Sequence, residues 1–92
     1  MEVRLSTHAE QQIAERNLDR DQVIAIARNP EQDIHAENQL PVAQSRALVE
    51  GKQYLLRVVY SDENETRLVI TAYRTSQVKK YWQEESQDEN SI

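Results

Sequence analysis

From Thr7 to Pro30 the apolar positions recur at helical spacing. Thr7-His8-Ala9-Glu10 reads as a capping box, with the Thr7 hydroxyl meeting a free amide and Glu10 reaching back, so His8 becomes the first helical residue. Ala9 and Ile13 form a thin apolar stripe behind it, and Asn17, which tolerates the left-handed region, stops the helix before Leu18. Asp19-Arg20-Asp21-Gln22 repeats the capping pattern with Leu18 and Val23 placed as a hydrophobic staple. The second helix should bury Val23, Ile24, Ile26 and Ala27, and it ends at Asn29-Pro30 because the residue before proline is pushed out of helical geometry.

Beyond Pro30 the period drops to two. Gln32 to His35 reads as a short edge strand, followed by a loop at Glu37 to Pro41. Ala43 to Glu50 and Lys52 to Ser61 flank Gly51, the only glycine, which points to a tight hairpin. Arg67 to Arg74 is a third long strand, reached through a three-residue loop Asp62-Glu63-Asn64 with Asn64 left-handed, which sets Tyr60 opposite Thr66. That register puts Tyr54, Leu56, Val58 and Tyr60 beside Leu68, Ile70 and Ala72 on a core face that the two helices cover. The other face then carries Leu55, Arg57 and Val59 beside Arg67, Val69, Thr71 and Tyr73, with Arg46 joining from the preceding strand. Ser76 caps a short final helix in which Val78, Tyr81 and Trp82 share the packed side and Lys79 and Lys80 the wet one. The pattern is α+β: two N-terminal helices on a four-stranded antiparallel sheet, with a short C-terminal helix.

Composition narrows the function classes. The chain has 92 residues, 38% of them apolar, which is enough for one small domain with a modest core. It holds no cysteine, so disulfides and thiolate metal sites are excluded, and the lack of a leader pattern or long apolar run suggests a soluble cytoplasmic protein. The net charge of −5 argues against a strongly basic nucleic-acid binder. Glu84, Glu85, Asp88 and Glu89 supply most of that charge, however, and residues 1–83 hold 11 cations against 12 acids. The expected organisation is one domain over 1–83 and an acidic disordered tail over 84–92.

Thr7-His8-Ala9, Ile13, Glu15-Arg16, Leu18, Val23 and Asn29-Pro30, followed later by Val69, Thr71-Ala72-Tyr73, Thr75-Ser76 and Val78-Lys79-Lys80-Tyr81-Trp82, resemble a small prokaryotic family called domain of unknown function 4258. The resemblance runs from Arg4 to Trp82 and departs from the family at Asn17, where glycine is usual, and at Gln77, where lysine is common. It implies a similarity to the RelE, ParE and BrnT toxins, and so a RelE-like layout of N-terminal helices on a four-stranded antiparallel sheet. That wider group includes RNA-cleaving toxins, gyrase inhibitors that cleave nothing, and domains without assigned activity, so fold alone does not choose among them.

The residues themselves suggest RNA chemistry. Metal-free cleavage needs a base for the 2′-hydroxyl, an acid for the leaving oxygen and cations for the charge growing on phosphate. His8 is the base candidate, since a helix N-terminus favours neutral imidazole. Arg16 follows about 80° around the helix and about 12 Å along it. Arg16, Arg57 and Arg67 would hold phosphate, Arg46, Lys79 and Lys80 would add nucleic-acid contacts, Tyr73 would stack a base or donate to phosphate, and Thr71 would orient it. Simpler roles compete: His8 or Arg16 bonding sheet carbonyls, Arg57 and Arg67 on a solvated face, His35 as ordinary surface. No metal-ligand spacing occurs and no cofactor is expected. The leading expectation is a toxin-like component of a toxin–antitoxin pair that cleaves or binds RNA, with RNA and a cognate antitoxin as partners. The alternative is a non-catalytic protein-binding module on the same fold, and a third is a purely structural member of the group.

Overall fold

Ser6 organises the N-terminal end of the chain. In the computed structural model, which describes residues 1–84, its amide donates to the Val69 carbonyl at 3.0 Å and its hydroxyl to the Ile70 carbonyl at 3.3 Å. The same hydroxyl accepts from the Ala9 amide at 3.0 Å, which makes Ser6 the cap of α1 (Thr7–Glu15). The cap thus falls one residue before the expected Thr7, and His8 is the second helical residue. Anchorage to the sheet decides this, because the chain arrives at Ser6 as a strand, β1 (Glu2–Leu5). Glu10 is drawn away from the capping box to a two-bond contact with Arg20, at 3.1 and 2.9 Å, that joins the two helices.

The join itself follows expectation. Asn17 sits at φ 55°, and the Asn17 and Leu18 amides close back on Ala14 and Ile13, a Schellman ending. The Asp19 carboxylate accepts from the Asp21 and Gln22 amides and opens α2 (Arg20–Arg28). Four strands follow: β2 (Gln32–Ile34), β3 (Val42–Val49), β4 (Lys52–Glu63) and β5 (Thr66–Thr75), then α3 (Val78–Tyr81). The cap position of α3 is Gln77 rather than the expected Ser76, and no side chain caps the helix.

The sheet has five strands in the order β1-β5-β4-β3-β2, with β1 parallel to β5 and the other pairs antiparallel. This corrects the expectation of four antiparallel strands. β1 escapes a pattern search because four residues give two alternations at most, and its partner is the last strand of the chain. Val3 and Leu5 pack against the core from it.

Both hairpins turn on positive φ. Glu50 at 53° and Gly51 at 82° make a two-residue connection that pairs Val49 with Lys52. Asn64, at 58°, is left-handed as expected, but the loop is shorter than three residues and pairs Glu63 with Thr66. The register then slips: Val59 faces Thr71, Tyr60 faces Val69, and Ile70 is left without a partner as a bulge. Ala72 keeps its expected place on the core side. Val69 and Arg67 move to that side as well, contrary to expectation, and Leu68 leaves it.

The core lies between the helices and this face: Ala9, Ile13, Val23, Ile26 and Ala27 against Ala43, Leu56, Val58, Tyr60, Val69 and Ala72. Ile24 and Tyr54, both expected inside, are half-buried. The relocated Arg67 closes one end of the layer. Its guanidinium lies 3.8 Å from the Tyr60 ring centroid, donates to the Ala27 carbonyl at 2.9 Å, and grips Asp62 at 2.7 and 2.8 Å. These bonds hold the Asp62 carboxyl below the usual carboxylate range.

Tyr60 is fully buried and donates to the Asp33 carboxylate at 2.6 Å. Burial, reinforced by that bond, raises its pKa well above the usual phenol value. Above about pH 10 the unfolded chain therefore sheds a proton that the folded chain keeps. We expect the unfolding free energy, measured with urea, to fall between pH 10 and 11.5. Tyr60→Phe should lower stability by about 1–2 kcal/mol at pH 7 and flatten that decline. An unchanged slope in the variant would assign the alkaline loss to other groups.

Candidate functional site

The sheet side away from α1 and α2 carries Gln44 and Arg46 from β3, Leu55 and Arg57 from β4, and Thr71 and Tyr73 from β5, as alternation from the observed pairs requires. The chain after β5 lies on this side. Gln44, fully buried, is the polar centre: its amide nitrogen donates to Gln32 Oε1 at 2.9 Å and to the Tyr81 carbonyl at 3.1 Å, and its oxygen accepts from Arg57 Nε at 2.8 Å. Gln32 in turn holds both backbone groups of Gln83, at 2.6 and 3.1 Å. A glutamine side chain here does the work of a neighbouring strand.

Two arginines are stacked on aromatic rings. Arg57 lies 4.3 Å from the Tyr81 ring centroid and donates from Nη1 to the Tyr73 hydroxyl at 2.7 Å. Arg46 lies 4.1 Å from the Trp82 ring centroid and reaches Glu31 through Nε at 3.1 Å and Nη2 at 3.4 Å. Hydrogen bonds from the Arg46 side chain and amide hold the Glu31 carboxyl below its ordinary range. Arg4, Arg20, Arg46 and Arg67 each meet a carboxylate, whereas the half-buried Arg57 has only neutral partners among the described residues. Lys79 and Lys80 are exposed on α3 beside this cluster.

The structure thus brings together Arg57, Tyr73 and Arg46, with Thr71 on the same side and Lys79 and Lys80 on the overlying helix. It does not bring His8, Arg16 or Arg67 to them, and the expected convergence is corrected on this point. Arg67 is beneath α2 because of the bulge. Arg16 donates to the Ala72 carbonyl at 2.8 Å, where β5 runs past the end of β1, which is its structural role. His8 is exposed and makes no hydrogen bond or ion pair among the described residues. The Thr71 hydroxyl makes no hydrogen bond there either, so it does not orient Tyr73. His35, expected as surface, is exposed with Nε2 3.4 Å from Asp33.

Residue type does not single out Gln44 or Gln32, and it marks Tyr81 and Trp82 only as packing. A signal for Gln44 exists: counting back from a two-residue turn at Glu50-Gly51 places it opposite Arg57. Two recesses, of about 250 and 270 Å³, flank the β4–β5 hairpin, and neither includes a residue of the cluster. Among the described residues no group of three His, Cys, Asp or Glu is placed to hold a metal, and no helix is long and apolar enough to cross a membrane. Residues 85–92, most of the expected tail, lie outside the described part.

A protein-family model matches residues 5–74. The chain belongs to the family described as Domain of unknown function (DUF4258). No curated protein and no solved structure matches it. The DUF4258 match holds Gln44, Arg46, Arg57, Thr71 and Tyr73 but stops short of Lys79 to Gln83, so the cluster joins residues inside the matched span to a segment beyond it.

Replacing Gln44 by Leu keeps the volume but leaves Arg57 Nε and the Tyr81 carbonyl without their partner. Stability should drop by about 2–3 kcal/mol in urea unfolding. A change within about 0.5 kcal/mol would show that water satisfies both groups.

Proposed function

We propose that this domain binds single-stranded RNA on the sheet side that carries Arg46, Arg57 and Tyr73, without cleaving it. The observation that carries the reading is Arg57: a half-buried cation, immobilised by Gln44 and Tyr73, whose charge no carboxylate among the described residues neutralises. Around it, Lys79, Lys80 and Arg46 add charge, and Tyr73, Tyr81 and Trp82 supply rings on which bases stack irrespective of sequence. Four of the six cations expected to contact nucleic acid share this side. Cleavage draws no comparable support, because His8 and Arg16 belong to the helix layer. As a toxin-like member of the RelE, ParE and BrnT group, the domain would act by occupying its RNA, with an antitoxin as partner.

A second reading, docking of a partner protein, has one observation in its favour. Leu48 is 74% exposed and projects from β3 on the same side as Arg46.

Trp82 is the only tryptophan and reports binding directly. Titration with a ten-nucleotide single strand in EDTA and low salt should quench its fluorescence, with affinity falling as salt rises and the RNA recovered intact. Arg57→Ala should weaken binding about tenfold or more, while His8→Ala leaves it unchanged. Absence of binding would remove the proposal and leave the protein partner; RNA cut by the parent but not by His8→Ala would reinstate a nuclease.

A further inference from the structure

The hydrogen bonds around Arg57 have a direction. A guanidinium offers five N–H donors. Nε is taken by Gln44 and one hydrogen of Nη1 by Tyr73, and the ring of Tyr81 covers one flat face. The remaining three N–H groups meet no acceptor among the described residues. Tyr73 acts as acceptor in its bond to Arg57, so its own proton is not used there, and it donates to nothing among the described residues. Two kinds of donor therefore stand next to each other, held in place from behind, with no acceptor between them among the described residues.

We infer that the unused N–H groups of Arg57 and the O–H of Tyr73 form a seat for one internal phosphodiester of an RNA strand. This rests on the RNA-binding reading above and adds which group of the RNA is held and by which atoms. One guanidinium matches the single negative charge that an internal diester carries. The Tyr73 proton selects an acceptor, so the seat takes an oxyanion and rejects a donor in the same place. The rings of Tyr81 and Trp82, adjacent in the chain and each against a cation, lie where bases flanking that phosphate would find stacking partners.

The test uses the full chain and a ten-nucleotide single-stranded RNA in which one neutral methylphosphonate replaces each linkage in turn. In the parent, one internal position should weaken binding about tenfold, and a 5′-phosphate should add nothing. Tyr73→Phe should lose about tenfold on the unmodified RNA and show a smaller penalty than the parent at the neutral linkage, with its thermal midpoint within a few degrees of the parent. Arg57→Lys, which keeps the charge but loses the fork, should also lose about tenfold on the unmodified RNA while still showing part of the parent's penalty at the neutral linkage. If the parent binds RNA and Tyr73→Phe binds equally, or if the neutral linkage costs the same in both, the seat is refuted while RNA binding stands. If the parent binds no RNA, the RNA reading and the diester seat fall together. A shift of the Arg57 Nε–H resonance by inorganic phosphate, present in the parent and absent in Tyr73→Phe, would in that event identify a simple anion site instead.

Discussion

One unpaired residue in β5 decides which cations share a surface. Ile70 has no partner on β4, so the strand alternates in one phase from Thr71 to Thr75 and in the opposite phase from Thr66 to Val69. The upper part sends Ala72 to the core and Tyr73 to the open side. The lower part sends Val69 and Arg67 inward. Without the bulge, Arg67 would stand with Arg57, and the end of the core near Tyr60 would lose the guanidinium that ties β5 to α2 and to Asp62. The slip also lets Ser6 satisfy the carbonyls of both Val69 and Ile70, so the strand that bulges is the one on which the N-terminal helix is anchored.

The open side is built on different terms from the core. α3 has four residues and buries none of them, so apolar contact contributes little to holding it. What holds it is a series of polar contacts, each to a sheet side chain: Gln44 and Arg57 on Tyr81, Arg46 on Trp82, Gln32 on Gln83. Fully satisfied buried amides specify one arrangement, because any displacement leaves a donor or acceptor unmet at a cost comparable to several apolar contacts. The same network immobilises Arg57. Positioning the guanidinium and docking the last helix are therefore one structural event, even though the family match covers only the sheet side of it.

Much of this was legible in the residues. Asp19, Asn17 and Asn64 announce their caps and turns because their side chains bond or tolerate the backbone locally, and Gly51 marks its hairpin because without a Cβ it takes a positive φ at no steric cost. What required the structure was non-local. β1 is too short to alternate visibly and pairs across almost the whole chain. The bulge leaves no mark on composition, since Ile70 looks like any strand residue, and one missed residue sends Arg67 to the wrong side. Ser6 outcompetes Thr7 as the cap only because the sheet holds it. Simple alternation places Arg57, Tyr73 and Arg46 together because they lie on the correctly phased side of the bulge, and it misplaces Arg67, which does not.

The pattern of counter-ions gives the open side its character. Arg20 meets Glu10 between the helices, Arg67 meets Asp62 under α2 and Arg46 meets Glu31 at the rim, while Arg16, Arg28 and Arg74, which meet no carboxylate among the described residues, are exposed to water and Arg57 is half-buried. Arg57 is more enclosed than Arg46, and a guanidinium out of contact with a carboxylate is costlier as water is excluded. The structural part that Arg57 plays, satisfying the buried Gln44 oxygen and packing on Tyr81, needs no carboxylate. Instead Gln44 and Tyr73 give Arg57 dipoles that fix its plane while leaving its charge intact. Neutral partners make the free domain less stable than an ion pair with good geometry would, and they keep the cation available to an anion from outside. In a chain whose first 83 residues are nearly balanced in charge, that local imbalance, rather than any overall basic field, is what an RNA strand would meet.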